Sequence, residues 1–388
     1  MNFYHLTDNE IAFYKVSGLK VYRNNHGLLE TLYDIARTVN MFVSFFTKKV
    51  LAISENDSLK FLKSIGFEYE KRDSSVFGIT ANDVHSGDIF ASVRMDGIDP
   101  LVIATTGSRI AHIQIALKID GVMNVCESQD AAYWPVSGWQ CNKFEDFEKW
   151  IKDGDFNVVH LRLAEPYRSK FNETRAWEWL KPLIGTPYGF EQFLYADLDT
   201  PAGNLFGPMD IGSLDLTYFF CDLVAKDFTE MVIGRGLRNR LNLPQVPVIS
   251  RADLYGLFSK QGKTFSDIYV IPETGEARYG EDGHLSRVCS CFATELLVRS
   301  GAFEGTDFDV PFYPAEQTPS DLVHLKLWDL ESPLPEQCVK NDPTLKYCQP
   351  WGKYRISFAK DEVSTFEPYA FMNNYCPSGP NYHDHSQC

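Results

Sequence analysis

The chain has 388 residues, a formal net charge of −15, 44% hydrophobic and 23% charged residues. That balance belongs to a folded protein, long enough for one large domain with elaborations or for two. No Lys/Arg cluster supplies the footprint that a nucleic acid would need, so the composition argues against DNA or RNA as partners. No run reaches the roughly 18 uninterrupted apolar residues of a membrane-spanning helix; the nearest, residues 39–46, is soon closed by Lys48 and Lys49.

Residues 1–80 read as an N-terminal helical extension that covers an edge of the core. Residues 1–20 lack the basic-then-apolar layout of a signal peptide. From Gly27 to Ile53, apolar residues recur at three-to-four spacing (Leu28, Leu32, Ile35, Val39, Phe42, Phe46), which predicts a helix. The stretch SENDSLKFLKSIG predicts a second, shorter one, with Gly66 as its stop.

From about residue 84 the period shortens. SGDIFASVRM, DPLVIATTG, IAHIQIALKI, VMNVCES and NVVHLRLA are short β-rich runs separated by Gly, Asp and Pro, and they predict an antiparallel sheet. ETRAWEWLKPLIG predicts a helix ended by Gly185. Residues 186–280, rich in aromatics, Pro and Gly at their start, read as a long insertion of the kind that shapes a cleft. LSRVCSCFATELLVRSGAF predicts a helix that begins near Cys289 and closes at Gly301. The expected fold class is α+β: residues 81–330 form the main domain and residues 331–388 a Cys/Pro-rich tail.

Four of the nine cysteines, Cys338, Cys348, Cys376 and Cys388, fall in that tail. Such density in a loop-rich segment predicts disulfides, and three pairings are open. Bridged cysteines would suit a secreted or lysosomal/vacuolar protein; free thiols would suit the cytoplasm.

His112 stands alone in a β-branched apolar run. Asp120-Gly121 is a two-residue hairpin signal. A tight turn there pairs Ile119 with Val122, which sets Gln114 opposite Glu127 and His112 opposite Gln129. All four then share one face, while Ile113, Ile115, Leu117 and Cys126 take the other. Glu127 lies diagonally from His112, within reach of long side chains. A carboxylate or amide beside a histidine fixes its tautomer and leaves the second ring nitrogen for proton transfer. The matching nucleophile is best placed at a helix N-terminus, where partial positive charge favours a thiolate, and Cys289 begins such a helix. The residues three, four, seven and eight beyond Cys289 are Phe292, Ala293, Leu296 and Leu297, an apolar stripe that must pack on the sheet. The same positions from Cys291 are Thr294, Glu295, Val298 and Arg299, a mostly polar face turned away.

Other readings of these residues exist. His112 could be a core histidine, and Cys289 and Cys291 inert core thiols. Cys221 also opens a helical pattern and is the rival nucleophile. A zinc site from His284, Cys289 and Cys291 would lack the paired arms of a structural zinc motif, and the terminal HDHSQC could grip a metal only weakly. No metal and no cofactor are expected.

The order GDI, TGSRIAHIQIAL, VCES and VCSCFATEL resembles the circularly permuted papain-like superfamily. Its bacterial YiiX-like branch opens on a GD-hydrophobic motif, then carries a strand histidine, a Glu on the next strand and a late CSEL-type helix. GTPYG, DTP…N and the Cys-rich tail with CQ..GKY make the chain more similar still to protist members. The resemblance covers roughly residues 84 to 388. It implies a permuted papain-like fold, Cys289 as nucleophile, His112 as base and Glu127 as orienter, with Tyr188 of GTPYG lining the site. Gln129 rivals Glu127 as orienter and is otherwise a substrate-binding candidate. Family activities are cysteine peptidase, amidase and, in a related branch, acyl transfer to lipids. The sequence departs from the bacterial pattern in its long His-to-Cys separation, in Cys291 where that pattern has Glu, and in residues 1–20, which are not expected to act as a leader.

The resulting expectation is a thiol hydrolase that cleaves an amide bond in a peptide or peptide-like substrate. The alternatives are a lipid acyltransferase or thioesterase, and a non-catalytic binding or structural protein that keeps the fold, for instance as a component of a larger assembly.

Overall fold

The structure is a computed structural model. It describes residues 28–72, 76–129, 138–190, 286–309, 317–358 and 363–364, with shorter pieces within 226–263. The chain is α+β, built on one six-stranded sheet in the order β4-β3-β2-β1-β5-β6, with every neighbouring pair antiparallel.

The strands are β1 (Ile89–Val93), β2 (His112–Ile119), β3 (Val122–Gln129), β4 (Gly138–Lys143), β5 (Asn157–Leu161) and β6 (Cys348–Trp351). The β2–β3 hairpin turns on Asp120 and Gly121, both at positive φ (49° and 80°), as a type I′ turn demands. The register follows from that turn, with Ile119 opposite Val122 and Ile115 opposite Cys126.

Strand alternation separates two cores. Ile113, Ile115, Leu117 and Cys126 face one side, where α6 (Cys289–Ser300) lays Phe292, Ala293, Leu296 and Leu297 against them. Phe90, Ala116 and Val125 face the other, covered by Phe144, Phe147 and Ile151 of α4 (Phe144–Asp153). Burial of Phe292, Leu296 and Leu297 stabilises the first layer by about 1.5–3 kcal/mol for each side chain, and α5 (Glu173–Leu180) and α7 (Pro319–His324) pack beside α6.

Several expectations are corrected. The run DPLVIATTG is not a strand but α3 (Ile98–Thr106). Pro100 sits in its first turn, and Gly107 closes it at φ 74° in the left-handed region. Those are helix-boundary signals, and they outweigh the β-branched content. The single N-terminal helix breaks into α1 (Leu28–Phe42) and a short 3-10 turn (Val43–Phe46) before α2 (Ala52–Ser64). Val39 and Phe46 of the expected apolar stripe are exposed, and Met41 takes the core position. The tail is not all loop: β6 pairs with β5, and Cys338 of the short α8 (Glu336–Asn341) is bridged to Cys348. Cys376 and Cys388 lie outside the described residues.

Arg94, just past β1, is fully buried and ties the N-terminal helices to the sheet. Its guanidinium donates to the carbonyls of Ser44, Thr47, Lys48 and Gly154 and pairs with Asp96. A buried guanidinium has to be saturated in this way, because each unmade bond costs its desolvation. Among the described residues no helix is long and apolar enough to cross a membrane.

Candidate functional site

The sheet forks at one end. Pairing between β2 and β3 stops at Ile115–Cys126, while β3 stays with β4 as far as Gln129–Gly138. His112 and Gln129 therefore do not pair as the extended register would have them. The N-terminus of α6 meets the sheet at this fork. Ser128 Oγ donates to the Arg287 carbonyl at 2.6 Å, two residues before the helix cysteine.

The fork also explains how Cys289 meets His112 although α6 packs on the face opposite to it. Ile113, left without a β3 partner, donates its N–H to the Cys289 sulfur, and so does Ser290. Cys289 Sγ lies 3.9 Å from the Ala111 carbonyl oxygen. The thiol thus reaches the start of β2 through the gap between the strands, where it hydrogen-bonds the His112 side chain. On the far side of the imidazole, Nε2 lies 2.8 Å from Glu127 Oε2. Cys289 is 4% exposed, His112 7% and Glu127 1%.

The electrostatics favour an ion pair. Burial pushes the Cys289 thiol up, but the charge and hydrogen bond of His112 and the two backbone N–H donors outweigh it, so its pKa falls below the usual 9.0. Burial likewise opposes a charged His112. The neighbouring Cys289 and the Glu127 carboxylate overcome that and raise it to about 10. The N-terminal end of α6 adds partial positive charge on the same side. A thiolate flanked by an imidazolium is a strong nucleophile with an acid beside it.

The structure brings His112, Glu127 and Cys289 together. Gln129 is buried at the end of β3, opposite Gly138. Tyr188 is half-buried; its backbone bridges Arg287, and its ring meets Phe190 edge-on at 4.9 Å. Gly189 is required here, because a Cβ would lie 2.8 Å from the Arg287 nitrogen. Cys291, expected on a polar face turned away from the sheet, has its sulfur 3.4 Å from the Gln317 carbonyl. Its face is not solvated, however. Thr294 and Glu295 are buried, and Glu295 pairs with buried Arg287 at 2.8 Å, which anchors the segment before the helix. Cys221 and His284 lie outside the described residues. No group of three or more His, Cys, Asp or Glu among the described residues is arranged to hold a metal.

Sequence reasoning missed two contributors. The N–H of Ile113 becomes a sulfur donor only because β3 departs, and no residue type signals that. Asp99, a buried carboxyl close enough to feel the His112 charge, was hidden by the reading of its helix as a strand; burial and then Asp96 hold it well above the ordinary range, against the opposing pull of His112.

No family model matches the chain, no curated protein matches it in sequence, and no solved structure matches it in fold.

Proposed function

We propose that the protein is a thiol hydrolase with a permuted papain-like arrangement, cleaving an amide bond in a peptide or peptide-like substrate. The observation that carries this reading is the Cys289–His112–Glu127 contact chain at the N-terminus of α6. Cys289 attacks the carbonyl carbon as thiolate. The oxyanion is met by N–H groups of the first helical turn, Cys289's own among them, which have no partner within the helix. The His112 imidazolium passes its proton to the leaving nitrogen, so the amine departs and a thioester remains. His112, now neutral, deprotonates a water that adds to the thioester; collapse releases the acid and expels the sulfur as thiolate, which restores the thiolate–imidazolium pair. Glu127 orients the ring and stabilises its charged form.

The closed setting of the pair, with Cys289 and His112 nearly inaccessible, favours a second reading: a binding protein that keeps the constellation without turning over. Brief treatment with iodoacetamide at neutral pH, followed by peptide mapping, separates the two. The hydrolase reading expects preferential labelling of Cys289 and, on a peptide-amide library, cleavage abolished by Cys289→Ala. Labelling of Cys291 instead, or cleavage that survives Cys289→Ala, contradicts it. Turnover of lipid esters without peptide cleavage would move the assignment to an acyltransferase or thioesterase.

A further inference from the structure

Cys126 occupies a singular position in the sheet. It is the last residue of β3 that pairs with β2, opposite Ile115, and on its other side it pairs with Cys141 of β4. The two sulfurs are joined in a disulfide, with Cα atoms 4.0 Å apart. The bond therefore lies at the branch point of the fork. The next register pair along β3 and β4 is Glu127 with Gln140, so the carboxylate that reaches His112 is one residue beyond the bridge.

From this placement we propose that the Cys126–Cys141 disulfide is a positioning element of the site: it holds β3 on β4 at the fork, which keeps the gap open for Cys289 and aims Glu127 at His112. The proposal rests on the hydrolase reading only for its consequence in turnover. Its structural content is independent of any substrate.

The physical reasoning is one of competition. Past Cys126, β3 can hydrogen-bond either to β4 alone or to both neighbours. In a regular hairpin the second option gains backbone hydrogen bonds, and the register His112–Gln129 would form. Here the gap is filled by the Cys289 sulfur, which takes the Ile113 N–H, and by the Arg287 carbonyl, which takes the Ser128 hydroxyl. A covalent cross-link at the branch residue restricts β3 to the β4 side without contributing any atom to the gap. Cys126 itself is buried in the core beneath α6, among Ile115 and Trp139, so it can serve as a fixed pivot. The second bridge, Cys338–Cys348, ties α8 to the edge strand β6 at the far side of the sheet. It is a built-in control, a bond of the same kind that touches neither fork nor site.

The test is the pH dependence of Cys289 alkylation by iodoacetamide, read by mass mapping. It is measured on the native protein, on Cys126→Ala/Cys141→Ala and on Cys338→Ala/Cys348→Ala. Both double variants lose thermal stability. Only the first is expected to move the alkylation profile toward that of an ordinary thiol and to lower the rate at neutral pH about tenfold or more, the scale of misplacements of about an ångström at a reacting group. Cys126→Val/Cys141→Val, a β-branched pair that fills the cross-strand space without a bond, is a second arm should the alanine pair not fold, and it should show the same shift. An unchanged profile in a folded fork variant, or an equal shift in the Cys338/Cys348 control, overturns the proposal. An ordinary thiol profile in the native protein instead contradicts the hydrolase reading, and the two failures are thereby distinguishable.

Discussion

Among the described residues two buried histidine–carboxylate pairs lie on or beside this sheet, and they differ in whether their surroundings are those of a reactive site. His160 Nε2 on β5 lies 3.0 Å from Asp88 Oδ2. The geometry matches that of His112 and Glu127. Around Asp88, however, everything is saturating: the Arg168 guanidinium at 2.9 Å and the N–H groups of His85 and Leu163. Burial works against its charge, but His160 and Arg168 hold its carboxyl below the ordinary range. The His160 ring stacks on Phe90, and its Nδ1 meets no partner among the described residues. Among the described residues no nucleophile hydrogen-bonds that nitrogen. A histidine–carboxylate pair is thus a structural clamp by default. Chemistry requires a nucleophile on the second nitrogen and a gap in the sheet through which it can arrive.

Substitutions can break or sharpen this contrast. The largest effect is expected from His112→Ala, which removes the partner of the Cys289 thiolate. Turnover should fall by about three orders of magnitude or more, and alkylation at neutral pH should slow to the rate of a buried neutral thiol. At the other pair, Asp88→Ala leaves Arg168 and His160 without their shared acceptor. It should cost about 3–5 kcal/mol of unfolding free energy, the scale of a broken buried ion pair, while the Cys289 alkylation profile stays unchanged. A profile that shifted with Asp88→Ala would erase the distinction between the two pairs. Within the site, Glu127→Ala should lower turnover by orders of magnitude, because the ring loses its orienter. Gln129→Ala should change it only a few-fold, and the reverse ranking would transfer the orienting role to Gln129.

The smallest effect is on stability against pH. His112 carries its charge more readily in the folded protein than in an unfolded chain. Its contribution is therefore complete below about pH 6.5 and is lost as pH rises through about 10. Cys289 has the opposite sign: its lowered value contributes above the ordinary thiol range and is lost as pH falls through the folded value. Thermal melts of Cys289→Ala across this range should lose less stability on the alkaline side than the native protein.

Much of the site was legible because it rests on short-range rules. Asp120-Gly121 dictates the turn, the turn dictates the register, and strand alternation puts Glu127 on the face of His112. The helix from Cys289 to Ser300, closed by Gly301, was legible from its apolar stripe and its glycine. What escaped depended on distant partners. The fork cannot be read from β2 and β3 themselves, since their pattern continues through Gln129; it involves α6 and Arg287, which lie far away in sequence and meet the strands at the gap. Cys141 could not be matched to Cys126 without β4, a strand whose alternation in GWQCNK spans only Trp139 and Cys141 and is too short to announce it. The chain from residue 348 to 351, read as part of a loop-rich tail, becomes a strand only because β5 offers an edge.

The central claim is that Cys289 and His112 exist as a thiolate–imidazolium pair. The most direct measurement is the rate of Cys289 carboxamidomethylation by iodoacetamide as a function of pH, with the modified peptide quantified by mass spectrometry. The account predicts that labelling proceeds through a plateau around neutral pH, begins on the acid side well below an ordinary thiol's range, and changes again only near pH 10, where His112 loses its proton. A single rise centred at about pH 8.5 or above, as for a free cysteine, would contradict it.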